Sequence, residues 1–525
     1  FLFQDEVVDT CVERPDPEET RLNVLPEGDF IDGMLGLWDE NMVADMVDGL
    51  DIGDLFEDPD FPANTSSLSY SDPNGEYLND ITWQRPHEIS EDPHMFVDGV
   101  SRTDVKQGDL GDCWFLSVCA ALSRKPELIE KVVPPDQPLS GEDYKGIVCI
   151  RFWRFGEWVT VYIDDRLPVR NGSPLYASCT DPNEFWVAFV EKAYAKLHGS
   201  YEALAGGHAI EAFVDLTGGL AEQLDITPKI FRKLRIAFNH GAFVTCARKG
   251  NWQLESCKNI EVNGLVQGHA YTVTDVRRLE TDSLGTVQLV RIRNPWGDAS
   301  EWKGAWSDSD SRWQNVDDEM KEKMGVMALD DGEFWMEFPD FQAEFQELTI
   351  ATLGPDFDSD GVTDKPEQVK ILKGRWVEGI NAGGCRNDLE SFTTNPQYLL
   401  TVNEPDEPDP DNEVTPTRCS ILIGLMQEHR RSEKNRELRM LAIAFFIYKT
   451  DTPSESLSAE YFLCVPEEGS SGVFINSREV LGHFELEPGS YVIIPSTFYP
   501  GRSRDFMLRV FALKPFSLTP IEPTP

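Results

Sequence analysis

Three residues in this chain carry the parts of a nucleophilic acyl transfer: Cys113 in QGDLGDCWFL, His269 in QGHAYTVTDV and Asn294 in VQLVRIRNPWGD. In such chemistry a thiolate attacks a carbonyl, an imidazole holds the thiol's proton and returns it to the leaving amine, and a third group orients the ring. An amide suits the third place, because the imidazolium already faces a thiolate and needs no added negative charge. Gln107 lies six residues before the cysteine and offers an amide N–H to a developing oxyanion, with the Cys113 backbone N–H as second donor. Alone, a cysteine is more often a small buried apolar residue and a histidine a satisfied core residue. It is the combination that points to catalysis.

The surrounding pattern says which elements must position these groups. Gly108 and Gly111 permit tight turns, Asp112 can cap a helix, and Phe115, Leu116, Cys119 and Leu122 recur at helical spacing. Cys113 thus falls in the first turn of a predicted helix that stops before Lys125-Pro126, where free N–H groups and the helix dipole favour a thiolate. Residues 267–276 and 287–298 alternate as strands. Paired antiparallel about the turn at 282–285, they bring His269 opposite Asn294. The 147–155 and 158–164 runs predict a hairpin, 183–197 a helix closed by Gly199, and 228–238 a helix stopped by Gly241. Beyond residue 371 strands dominate, at 398–402, 420–426, 438–448, 461–465, 491–494 and 506–513, which reads as an antiparallel β-sandwich.

Composition narrows the class. The 525 residues are 40% hydrophobic and 11% aromatic, enough for several cores. A formal charge of -45 argues against nucleic acid and for a cation, especially a hard divalent one. The ten cysteines show neither close pairs nor metal-binding spacing, which suggests a reducing, cytoplasmic setting. No apolar stretch reaches the length of a membrane span, and the opening at Phe1 without a signal pattern suggests an excised portion of a longer chain. Residues 1–60 read as an acidic, weakly ordered leader with one short helix near Met34 to Val47. Opposite-sign runs at 404–413 and 429–439 read as solvated loops, able to dock on each other or, for the basic run, on anionic phospholipid. Asp356, Asp358, Asp360, Asp364 and Glu367, with Gly361, match an EF-hand loop. Pro355, Thr363 and Pro366 break that pattern and favour a plain acidic linker over 355–370.

With these motifs in place, QGDLGDCWFL, GHAYTVTDV, RIRNPWGD and DGEFWMEF, joined by NEFWVAFVEKAYAKLHGSYEAL, NAGGCRN and NPQY, resemble the calpains, calcium-dependent intracellular cysteine proteases. The spacing from 113 to 269 is close to the roughly 130–150 residues of papain-type enzymes. The resemblance implies an α+β fold: a two-lobed papain-like cysteine protease core, with lobes at 61–210 and 211–354, followed by an antiparallel β-sandwich at 371–514 and a Pro-rich tail at 515–525. It implies one calcium site from Asp104 and Glu184 with the Val97 and Gly99 carbonyls. It implies a second from Glu301, Asp308, Asp331 and Glu333 with a carbonyl near Leu329. Trp296 resembles a tryptophan that gates the lobes. The implied function is limited cutting of cytosolic proteins, with calcium-linked membrane recruitment. The family's penta-EF-hand domain has no counterpart in the sequence read. A transglutaminase would want Asp where Asn294 stands, and a calcium- and lipid-binding scaffold would not need the catalytic set.

Overall fold

The computed structural model describes residues 38, 40–51, 53–239, 241–249, 261–281, 283–326, 329–352, 369–406, 417–428, 440–453 and 455–521. The chain forms two compact units, one over residues 31–366 and one over 367–430 and 434–525.

In the first unit, helix α1 (Glu40–Asp48) buries Val43, and Trp38 meets Phe56 edge to face at 5.7 Å. The part of the expected loose leader that is described is therefore docked, because Asp58 buries its charge. Its carboxylate accepts from Lys196 Nζ at 2.8 Å while its own N–H donates to Asp164 at 3.0 Å. Asp164 in turn lies on the hairpin of β1 (Ile147–Arg154) and β2 (Glu157–Asp164) and pairs with Lys192 Nζ at 2.6 Å, both side chains fully buried. Burial works against the Asp164 carboxylate, yet the Lys192 charge and the Arg166 bond bring it down to about 2. Lys192→Met leaves that charge without its buried cation. It is expected to cost about 3 kcal/mol, readable as a lower urea midpoint.

Helix α2 (Cys113–Leu122) is apolar but for Ser117 and buried at every position, as a helix threaded through a core must be. Phe115 stacks on Tyr194 at 4.3 Å, and Trp114 Nε1 donates to Leu204 O at 2.9 Å. Tyr194 comes from α3 (Trp186–His198), which ends where Gly199 takes a φ of 104° and returns its N–H to Ala195 O. Two more helices, α4 (Ala209–Thr217) and α5 (Ile230–Asn239), flank the six-stranded antiparallel sheet. Its strands are β3 (Leu220–Asp225), β4 (Phe243–Arg248), β5 (His269–Thr281), β6 (Gly285–Arg293), β7 (Glu333–Glu337) and β8 (Glu347–Thr352), in the order β7-β6-β5-β4-β8-β3.

The β5–β6 hairpin forms, but in another register than expected. Thr272 faces Arg293 and Val273 faces Ile292; after an irregular step between Val273 and Asp275 the pairing continues to Thr281 opposite Gly285. The expected strand ended at 276, yet 277–281 continue the alternation with Leu279 inward. The closing pair Thr281–Gly285 and the irregular step set this register. His269 pairs with Arg248 of β4, not with Asn294.

The second unit is a sandwich of two antiparallel sheets. Strands β9 (Val369–Trp376), β10 (Gln397–Val402), β11 (Cys419–Gln427), β12 (Ala442–Lys449), β13 (Glu479–Leu486), β14 (Gly489–Thr497), β15 (Arg504–Ala512) and β16 (Phe516–Ile521) order as β9-β15-β11-β13 and β12-β14-β10-β16. Leu400, Ile423, Phe445, Ile493 and Leu508 fill the space between them. Residues 461–465, expected as a strand, lie instead in and just after helix α6 (Ala459–Cys464), because Ser458 caps the Tyr461 N–H and only Phe462 turns inward. The described cysteines are all free thiols, and no described helix is long and apolar enough to cross a membrane. The EF-hand-like loop at 356–367, the basic run 429–439 and residues 407–413 of the acidic run lie outside the described residues.

Candidate active site

Cys113 opens α2 with Asp112 at the N-cap position, but the expected side-chain cap is missing. Both Asp112 carboxyl oxygens are buried without a hydrogen-bond donor, and burial raises the group to about 7. It faces Glu191 of α3, which burial lifts well above the usual carboxylate range, with the Asp112 charge adding to the rise. Two carboxyls facing each other in a core disfavour the doubly ionised state. A glutamate within the apolar run WVAFVEKAYAKLH was the signal for this pair. Cys113 itself is 3% exposed, and burial pushes its thiol up to about 12 against the pull of the Ala270 N–H, with Asp112 adding to the rise. Desolvation of the buried first turn thus outweighs the dipole that was expected to favour the thiolate.

His269 stands at the start of β5, buried, with Nε2 2.8 Å from Asn294 Oδ1. The Asn294 amide cannot be turned over. Its Oδ1 accepts from the Trp296 N–H at 3.1 Å while its Nδ2 donates to Ser300 O at 3.1 Å. An acceptor oxygen so fixed requires the ring's proton on Nε2, which leaves Nδ1 as the base. The two groups meet although their backbones are not paired, because the imidazole reaches across from one strand to the residue following the next. Burial holds His269 down at about 4, against the help of the Asn294 bond. Trp296 lies against the imidazole with centroids 4.8 Å apart. Gln107 spends one amide hydrogen on Leu110 O at 2.6 Å, which leaves the other for an oxyanion. A pocket of about 60 Å³ beside Trp114 and Ala270 is lined also by Gly207, Thr245, Glu347 and Thr349.

The expected calcium ligands fall into two acidic places. In the first, Glu184 accepts the Val97 N–H at 3.1 Å and Asp104 the Ser101 N–H at 2.6 Å. Burial raises both carboxyls, Glu184 to about 7 with Asp104 contributing. Gly99 follows in the same loop. In the second place burial lifts Glu301 to about 7 and Asp308 to about 6; each also feels Asp331, and Asp308 Oδ2 is buried without a donor. Leu329 turns its N–H to Asp308, and Asp331 accepts the Glu333 N–H at 2.9 Å. Crowded carboxylates with an orphaned oxygen are the donors a hard cation takes. Glu333 departs from its expected role: it binds Arg102 at 2.6 and 3.1 Å and Arg291 at 2.6 Å. The charge of two arginines holds it, and no three His, Cys, Asp or Glu side chains among the described residues converge closely enough to hold a metal.

These raised values carry a sign. A carboxyl whose pKa is higher folded than unfolded contributes stability below its unfolded value, lost as pH rises through the folded one. In chelator, the native chain is expected to lose stability relative to Glu301→Gln/Asp308→Asn as pH rises from 4.5 through 7, and to match it at 4.5. Urea midpoints across that range check this.

Comparison with known proteins shows the family to which the chain is similar. A calpain family cysteine protease profile matches residues 56–352, and a profile for calpain large subunit domain III matches 372–511. The chain is 42% identical over 472 residues to Calpain-B of Drosophila melanogaster, covering 88% of this chain and 50% of that one. It is 42% identical over 478 residues to the Calpain-2 catalytic subunit of Bos taurus, covering 89% and 67%. Calpain-9 of Rattus norvegicus is 44% identical over 469 residues, covering 89% and 66%. The chain therefore spans about half the length of the first of these relatives and two thirds of the others.

Proposed function

Because the chain belongs to the calpain family of cysteine proteases, we propose that it is a calcium-activated endopeptidase making limited cuts in cytosolic proteins. The observation that carries this reading is the His269–Asn294 contact with its forced tautomer, beside a cysteine at the start of a buried helix. In the active arrangement Nδ1 of His269 takes the Cys113 proton, and Sγ attacks the substrate carbonyl. The oxyanion meets the Cys113 N–H and the second Gln107 amide hydrogen. The imidazolium then gives its proton to the leaving amine, and an acyl-enzyme remains for water to hydrolyse.

Asp104 and Glu184 would hold one calcium ion, and Glu301, Asp308 and Asp331 another, with Glu333 joining only after leaving its arginines. Bound there, calcium would supply the positive charge that offsets the repulsion among these carboxylates. Trp296, packed against His269, is then the side chain that must yield for Nδ1 to reach the thiol. Casein digestion with calcium and with chelator, Cys113→Ser as control, tests the reading. Cutting that requires both calcium and the thiol supports it; amine incorporation without peptide cleavage, or binding without either, would replace it.

A further inference from the structure

Lobe-to-lobe alignment, on the reading just given, must be held by something finer than bulk packing, and one row of the sheet is built for it. Thr272 faces Arg293 across β5–β6, and Arg293 faces Glu333 across β6–β7. All three side chains of this row leave the sheet for the segment that carries the nucleophile. Thr272 Oγ1 donates to Ser117 O in the middle of α2 at 2.7 Å. Arg293 is 1% exposed and donates from Nη1 to Val105 O and from Nη2 to Thr103 O, both at 3.2 Å. Glu333 takes Arg102. The strand end continues the seam, since the Gln107 N–H donates to Pro295 O at 3.0 Å.

We infer that Thr272 and Arg293 are positioning residues for the catalytic triad, fixing α2 and the Gln107 loop against the strands that carry His269 and Asn294. The sequence order makes the coupling short. Asn294 directly follows Arg293, and His269 lies three residues before Thr272 on the same strand. A buried guanidinium gives up its hydration, and here two backbone carbonyls repay that with its Nε left without a partner. Packing alone needs no such group: an apolar side chain would fill the space without the desolvation. What the guanidinium adds is direction, because two donors in a rigid fork fix both the distance and the angle between β6 and the 103–105 segment. The Thr272 hydroxyl does the same for the helix axis. A sulfur and a ring misplaced by 1 Å lose about 10²-fold in rate.

The test uses the full chain and the variants Thr272→Val, Thr272→Ser, Arg293→Lys and Arg293→Met. Three quantities are read: casein-peptide hydrolysis in calcium, the pH profile of Cys113 alkylation by iodoacetamide in calcium, and the melting temperature. Thr272→Val and Arg293→Met are expected to lower kcat roughly tenfold with KM within about twofold. Both are also expected to shift the alkylation profile toward that of an ordinary thiol. Thr272→Ser, which keeps the hydroxyl, should retain the native profile, and Arg293→Lys, which keeps charge without the fork, should fall between. Native kcat and profile in Thr272→Val overturn the inference. So does a loss that merely follows melting temperature and is no smaller in Thr272→Ser. If the native chain shows no thiol-dependent hydrolysis, the functional reading fails, and the alkylation profiles still decide the positioning role.

Discussion

Cys113→Ser is expected to remove calcium-dependent peptide hydrolysis by at least about 10⁴-fold while leaving melting nearly unchanged. The exchange is close to isosteric at a site that is 3% exposed, so the fold has little to lose. The chemistry loses nearly everything. An imidazole oriented by a neutral amide can share a proton with a thiol, whose sulfur is a strong nucleophile once ionised. A hydroxyl needs a far stronger base, and Asn294 supplies no negative charge to make His269 one. Casein-peptide turnover of purified native and variant chains, with melting followed by circular dichroism, checks both halves. Retained turnover in the serine variant would remove Cys113 as nucleophile.

The second large effect concerns the thiol before activation. Burial puts Cys113 at about 12 and His269 at about 4, so both groups are neutral across the physiological range. At pH 7 a thiol of that pKa is ionised in about one molecule in 10⁵. Iodoacetamide should therefore label Cys113 slowly in chelator, with a rate that climbs about tenfold per pH unit and no plateau near neutrality. Calcium should raise the rate at pH 7 by at least about 10²-fold and bring in a plateau, because a thiolate–imidazolium pair ionises together and holds its reactivity over several pH units. Mass spectrometry of the Cys113 peptide separates this label from that of the exposed Cys464. Equal rates with and without calcium would mean that burial, not alignment, governs the thiol.

Much of this chemistry could be read from residue types and spacing, and the misses share one physical origin. Cys113, His269, Asn294 and Gln107 announce themselves because few side chains do those jobs. The pairing of β5 with β6 did not, since its register is set by the closing pair Thr281–Gly285 and by the slip after Val273, neither of which the alternation marks. Asp112 looked like a cap because capping is local, whereas its real neighbour, Glu191, comes from another helix. Glu333 looked like a free ligand for the same reason: Arg102 and Arg291 reach it only through the fold. The run at 461–465 had too few residues to tell a period of two from one of 3.6, and Ser458 settled it as a helix end.

The irregular step between Val273 and Asp275 has a bearing on how this molecule can change over evolutionary time. A regular ladder passes every insertion or deletion along its whole length, flipping each inward residue outward. Here the slipped position absorbs one residue, so the tip around Ser283 and Leu284 can lengthen, shorten or acquire new contacts while the catalytic end keeps its facing. The distal loop is thereby free to drift, and new recognition could be grafted there without retuning the chemistry.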